Sequence, residues 1–204
     1  GAEVIKIERP GGSPTRDVPP FIEGKGDPEG SLFWAACNLN KRGITLDIAS
    51  SEGRKLLNRL LTGTDFLFES FDPGYLEGFG LGHEELRASN PGLIVVSITA
   101  FGQTGPYANY LGPDIVPWSM GGYHWMCGDA NRAPVRPSVP QQAYFHAAAM
   151  AASASLIALY HRATTGEGQV VDQSAQACGP WMLTHTYQYY EYEKRILARE
   201  GAWR

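Results

Sequence analysis

Residues 93–98 constrain the fold most, because Leu-Ile-Val-Val-Ser-Ile is apolar at every position but one. A strand that is apolar on both faces is typical of a parallel sheet covered by helices on either side. Further strand patterns, less continuously apolar, occur at residues 4–8, 44–48, 65–70 and 169–172, and helical stretches separate most of them. The sequence therefore predicts an α/β fold with a doubly wound, mostly parallel sheet.

The connections between these strands show helical periodicity. Leucines recur at helical spacing in residues 51–61, and a shorter helix is predicted over residues 83–88. A mixed helical stretch near residues 114–123 precedes the longest predicted helix, which is rich in alanine and serine and covers residues 142–162. Residues 175–204 are predicted to form a helical tail, dense in aromatic side chains that another chain or further sequence should cover.

Composition excludes several functional classes. The 204 residues fit one domain or two small ones, and 17 Lys and Arg against 21 Asp and Glu give a net charge of −4, which disfavours nucleic-acid binding. The longest weakly polar stretch, residues 147–160, is shorter than the roughly 20 apolar residues of a spanning helix, so no membrane contact is expected. The three cysteines lack metal-ligand spacing and the opening residues do not resemble a signal peptide, which together predict a cytoplasmic location with reduced thiols.

Residues that follow predicted strands are the candidates for ligand binding, because open α/β sheets bind ligands at the carboxyl ends of their strands. Arg9 and Arg16, after the first strand, are either phosphate contacts or part of a solvated loop. Phe71, just past the third strand, either stacks on an adenine or covers the core. Both alternatives are open for each of these residues.

The sequence contains no strong catalytic or metal motif. Its five histidines lack the spacing of a helical zinc site, and the glycine cluster at residues 78–82 departs from the phosphate-binding pattern and indicates a turn. His124 lies near Cys127 and Asp129, a set of residues that nucleophilic sites use, so this region is either such a site or a loop without a catalytic role. No metal site is predicted.

Several segments match one family pattern in order and spacing. They are residues 1–12, 40–47, 69–74, 80–82, 90–98, 101–106, 134–137 and 165–172. Together they resemble the family III CoA-transferases, the CaiB/BaiF group (carnitine dehydratase and bile-acid-inducible F). The resemblance implies that residues 1–204 are part of the family's large Rossmann-like domain, with residues 175–204 leading toward a C-terminal half, and that the chain forms an interlocked dimer with a partner.

The resemblance also implies an activity, the transfer of CoA between carboxylic acids. In this family an aspartate at the start of the long helix attacks the acyl-CoA thioester, and an anhydride and then an enzyme-bound CoA thioester follow. In this sequence Tyr144 stands at the aspartate's position. A phenol has an ordinary pKa near 10 and is protonated at neutral pH, so it does not replace that carboxylate.

The family pattern places nucleotide contacts at four positions of this chain, namely Arg9, Leu46, Asp47 and Phe71. CoA or acyl-CoA is therefore expected as a substrate, and no permanently bound cofactor is expected. Other family contacts are changed, because Ser70 stands where the family has asparagine.

Three functional interpretations follow. The first is a subunit without its own nucleophile, acting with a homologous catalytic partner as in the benzylsuccinate CoA-transferases, in a hetero- or homodimer. The second is an active CoA-thioester enzyme of altered chemistry, a lyase or isomerase, that uses Tyr144 or His146 as acid or base. The third is an acyl-CoA-binding module.

Overall fold

The computed structural model describes residues 1–24, 26–136 and 141–201. The chain divides into two compact units, Gly1–Leu60 and Leu61–Arg204. Pro137, which ends one of the family-like segments, and residues 202–204 of the tail lie outside the described residues.

The first unit contains a two-stranded parallel sheet. Strand β1 (Ile5–Glu8) pairs with β2 (Arg42–Thr45), with Glu8 opposite Thr45. Helix α1 (Leu32–Cys37) lies between them in sequence, and α2 (Ser51–Leu61) follows β2, with its last residue counted in the second unit. Two short 3-10 helices, Pro14–Asp17 and Ile22–Gly24, interrupt the long connection after β1.

The second unit contains a three-stranded sheet that is parallel throughout. Its order is β3–β4–β5, formed by Phe66–Glu69, Ile94–Thr99 and Val170–Ser174. The helices are α3 (His83–Ser89), α4 (Ile115–Met120), α5 (Gln142–Thr165), α6 (Ala175–Met182) and α7 (Thr184–Glu193), with 3-10 helices at Glu77–Phe79 and Tyr123–Met126. The predicted parallel α/β fold is confirmed.

The core of the second unit forms where α5 packs on the central strand. The side chains of Ile94 and Val96 in β4 are fully buried, and they cluster with Ala151 and Ala158 of α5. Small side chains let a helix approach a neighbouring element closely. The alanine-rich sequence of α5 therefore serves packing.

Helix α5 corrects one expectation from the sequence. It is 24 residues long, and an 18-residue window within it is apolar enough that length and composition alone would allow the helix to cross a membrane. Core helices of soluble proteins have the same properties, and this one contacts β4, β5 and α6. The sequence did not suggest a helix that could cross a membrane, because isolated polar residues such as His146 and Ser155 interrupt the continuous apolar run.

The tail is helical over a shorter range than its composition predicts. Helix α7 ends at Glu193, Lys194 adopts a left-handed backbone with φ 52°, and residues 195–201 have no regular structure. These residues bond instead to the segment after Tyr123–Met126, since the Gly201 amide donates to the Gly128 carbonyl at 3.1 Å. The prediction of a helix over this part of the tail is wrong.

Candidate functional site

The carboxyl ends of parallel strands are where open α/β sheets bind ligands. Each unit has such an edge. In the first unit it is formed by the residues after β1 and β2, and in the second by the residues after β3, β4 and β5.

The edge of the first unit brings three predicted contacts together. Arg9 directly follows β1, and Leu46 and Asp47 directly follow β2. The Leu46 amide donates to the Glu8 carbonyl at 2.8 Å, so the parallel ladder continues one residue beyond the strands. Leu46 is buried, whereas Arg9 and Asp47 are exposed. An exposed cation and an exposed carboxylate therefore lie at the same edge of this sheet.

Helix α2 begins four residues after Asp47, at Ser51. A Cβ on Gly53, in the first turn of the helix, would lie 1.7 Å from the Asp47 carbonyl oxygen. Only a glycine permits this approach. The Asp47 carboxylate also accepts the Ala49 amide at 3.0 Å, which closes the turn between strand and helix.

Arg16 is bound within the chain. Its guanidinium makes two hydrogen bonds to the Glu8 carboxylate at 2.8 and 2.9 Å, a third to Glu29 at 2.8 Å, and it stacks on Trp34 with 4.2 Å to the ring centroid. The hydrogen bond from Arg16 holds the pKa of Glu8 below its ordinary value. Arg16 is one of the two predicted phosphate contacts, and these bonds show that it stabilises the loop after β1.

Phe71 marks the edge of the second unit. Its ring is 39% exposed and stacks on Tyr75, with centroids 4.7 Å apart and planes 19° apart. The ring therefore lies at the surface after β3 and does not cover the core.

Tyr144 lies in the first turn of α5. Its hydroxyl donates to the Gly112 carbonyl at 2.6 Å. Burial raises the pKa of the phenol, and the negative charges of Asp114 and Asp72 raise it further. Tyr144 is therefore a proton donor at neutral pH, engaged with the main chain.

Asp114 is the carboxylate at this helix terminus. Its Oδ1 accepts the Ala143 amide at 2.9 Å, a capping bond on one of the free N–H groups at the start of α5. Asp114 was not among the residues predicted from the sequence to take part in the site. The sequence contains no signal for this capping bond, because Asp114 lies 29 positions before Ala143, the residue that it caps.

The acceptor of the Tyr144 hydroxyl is fixed by the loop after β4. A Cβ on Gly112 would lie 2.0 Å from the Ala100 Cβ, so the two residues are in close contact. The Ala100 carbonyl accepts the Gln176 amide at 2.9 Å, and Asp172 Oδ2 accepts the Gln103 amide at 2.9 Å. Strand β5 and helix α6 thus hold the loop in place.

By its sequence, the region around His124 is open to two interpretations, a nucleophilic site or a loop without a catalytic role. His124 is buried and its Nδ1 lies 2.5 Å from Ser119 Oγ, while the Cys127 thiol donates to the Tyr123 carbonyl. Burial lowers the pKa of His124, the nearby charge of Arg136 lowers it further, and Asp114 opposes both. The main chain joins two of these residues, since the Cys127 amide donates to the His124 carbonyl at 3.1 Å. Among the described residues, no side-chain hydrogen bond links His124 to Cys127 or Asp129.

The second predicted acid or base, His146, lies one turn along α5. Its ring stacks on Trp118 at 5.1 Å with planes 9° apart. Within residues 1–24, 26–136 and 141–201, no cluster of three or more His, Cys, Asp or Glu residues has the arrangement of a metal site.

Sequence comparison relates the whole chain to one family. The profile of CoA-transferase family III matches residues 1–203. The succinyl-CoA:(R)-benzylsuccinate CoA-transferase subunit BbsE of Thauera aromatica is 38% identical over 201 residues, which are 98% of this chain and 49% of that protein. The succinyl-CoA–D-citramalate CoA-transferase of Chloroflexus aurantiacus is 42% identical over 174 residues, 84% of this chain and 42% of that protein.

A solved structure supports the same relation. A CaiB/BaiF family protein from Brucella suis superposes with a TM-score of 0.91 at 39% identity, covering 98% of this chain and 53% of that one. The chain thus spans about half the length of the curated relatives it matches.

Proposed function

Because the chain belongs to CoA-transferase family III, we propose that it works in CoA transfer between carboxylic acids as a subunit that leaves the nucleophile to a homologous partner. The family resemblance predicted from the sequence is confirmed. Two observations support the finer proposal, the residue at the start of α5 and the naming of the benzylsuccinate relative as a subunit.

The contacts of Tyr144 carry the argument. Covalent CoA transfer through an anhydride needs a carboxylate that is ionised before it attacks the thioester. Tyr144 keeps its proton, because its pKa is raised and its hydroxyl donates to Gly112. Asp114 does supply a carboxylate at the start of α5, but that carboxylate accepts the Ala143 amide as a helix cap.

The same contacts weigh against the interpretation as a lyase or isomerase. A general base must accept a proton, whereas the Tyr144 hydroxyl already donates its own to a carbonyl. His146 packs flat against Trp118. No described contact favours either residue as a catalytic base.

Arg9, Leu46, Asp47 and Phe71 remain our proposed contacts for the nucleotide of CoA. All four lie at carboxyl edges of parallel sheets, three in the first unit and Phe71 in the second. We further propose that the partner is a homologous subunit in an interlocked dimer, with CoA or acyl-CoA as the shared substrate. The cytoplasmic location stays a prediction from the sequence.

The decisive experiment compares the full-length subunit alone with the subunit combined with its homologous partner. With succinyl-CoA as donor and a dicarboxylic acid as acceptor, we expect no CoA transfer by the subunit alone and transfer by the complex. Tyr144→Phe in the complex should leave kcat within about twofold, because the lost bond to Gly112 stabilises the fold by only about 1 kcal/mol.

Two controls complete this experiment. Replacing the partner's aspartate with asparagine should abolish transfer, since the anhydride has no other carboxylate from which to form. Turnover by the isolated subunit that disappears in Tyr144→Phe would show that this chain is itself the catalyst and that the proposal is wrong.

A further inference from the structure

Glu69, the last residue of β3, has a buried side chain although it is a carboxylate. The side chain is 5% exposed. Its Oε2 accepts the Phe71 amide at 2.8 Å, and its Oε1 lies 3.9 Å from His83 Nε2. Burial of a carboxylate is costly unless polar groups compensate it. Glu69 is therefore held by specific partners, one of which is the main chain of Phe71.

His83, the first residue of α3, ties this carboxylate to the sheet. Its Nε2 lies 3.0 Å from the hydroxyl of Ser97, which is fully buried in β4. Ser97 and Glu69 are also register partners across β4 and β3. Helix α3 thus locks the carboxyl end of β3 against the central strand.

The ring of Phe71 is fixed separately from its main chain. It stacks on Tyr75, and Tyr75 in turn meets the ring of Phe79 edge-on at 5.2 Å with planes 74° apart. Phe71 nevertheless remains 39% exposed. The main-chain amide and the ring of Phe71 are both held in place, so the exposed ring is a rigid stacking surface. Little conformational entropy of the side chain is lost when a planar ligand group stacks on it.

We propose that Glu69 is a positioning residue for the adenine of CoA, because its bond to the Phe71 amide fixes the strand exit from which the Phe71 ring meets the base. This inference rests on the proposed function, which makes CoA the ligand. Glu69 does not itself contact the base. Its loss should therefore weaken only ligands that carry adenine.

The test uses the full-length subunit together with its partner, and calorimetry with CoA, ADP and 4′-phosphopantetheine. Stacking of a base on an aromatic side chain corresponds to roughly tenfold or more in affinity. We expect Phe71→Ala and Glu69→Ala each to raise the Kd of CoA and ADP roughly tenfold. The Kd of 4′-phosphopantetheine, which lacks the base, should stay within about twofold.

Two variants separate positioning from a general structural role. Glu69→Gln keeps an oxygen that accepts the Phe71 amide, so it should recover most of the affinity for CoA and ADP. Glu84→Ala removes an exposed carboxylate from α3 and should leave all three ligands unchanged. If Glu69→Ala does not fold, Glu69→Gln carries the test, with a smaller loss confined to the two adenine ligands.

The outcomes distinguish this inference from the function on which it rests. Equal weakening of all three ligands, or wild-type affinity for ADP in Glu69→Ala (in Glu69→Gln where the alanine variant does not fold), would overturn the positioning role while leaving CoA binding intact. A wild-type complex that binds neither CoA nor ADP would overturn the proposed function and this inference together.

Discussion

Gly168→Ala is expected to destabilise the second unit by about 3 kcal/mol or more, at the upper end of what added atoms cost in a packed core. Gly168 lies between α5 and β5, and a Cβ there would lie 2.0 Å from the Leu93 carbonyl oxygen. The Gly168 amide donates to the Pro91 carbonyl at 2.7 Å, so the turn has little freedom to move away. Urea unfolding followed by circular dichroism measures the loss.

The matched control is Gly78→Ala in the same unit. No atom lies within 4 Å of a Cβ at Gly78, so its free energy of unfolding should change by at most about 0.5 kcal/mol. Equal stability of the Gly168 and Gly78 variants would contradict the close packing of the turn on the start of β4.

Glu8→Gln should destabilise the first unit by about 2 kcal/mol, since it removes the charge from a carboxylate that is 8% exposed and bonded twice to Arg16. The pKa of Glu8 in the folded chain lies below its ordinary value of 4.5. Its ionised form therefore contributes stability above that pH, and the contribution is lost as the pH falls through the lowered pKa. The difference in unfolding free energy between wild type and Glu8→Gln should be constant above about pH 5 and shrink below it.

Glu3→Gln is the control for this prediction, because Glu3 pairs with Arg42 at the exposed start of the same sheet. Exposed ion pairs contribute at most about 1 kcal/mol. A Glu8→Gln variant with the stability and the pH profile of Glu3→Gln would show that the bonds to Arg16 contribute nothing beyond those of a surface pair.

The elements with strong periodicity were predictable from the sequence. The apolar run at residues 93–98 became the buried central strand Ile94–Thr99, and the alanine-rich stretch became helix α5. Helix α5 extends three residues further than its apolar pattern, because the hydroxyls of Thr164 and Thr165 bond back to the His161 carbonyl.

Helix α1 was not predicted, since six residues are too few to show a period among the surrounding prolines and glycines. Its local signal is Ser31, whose hydroxyl accepts the Trp34 amide at 3.1 Å as an N-cap. The second strand was predicted two residues too late, because the alternation of residues 44–48 continues past Thr45 into the turn at Asp47.

The location of the candidate residues at strand ends followed from the sequence, whereas the hydrogen bonds around them did not. Arg9 and Phe71 were predicted because they follow strands. The pairing of Arg16 with Glu8 and the contact of Tyr144 with Gly112 depend on where the chain returns in space, 8 and 32 positions away. Such partners have no periodic signal.

The bond between Gln103 and Asp172 also has a consequence for how the protein is made. The two residues are 69 positions apart. At about 10 residues per second, a ribosome needs several seconds to add that length of chain. The turn after the central strand therefore emerges long before the carboxylate that anchors it, and the loop that carries the acceptor of Tyr144 is held in place only late in translation.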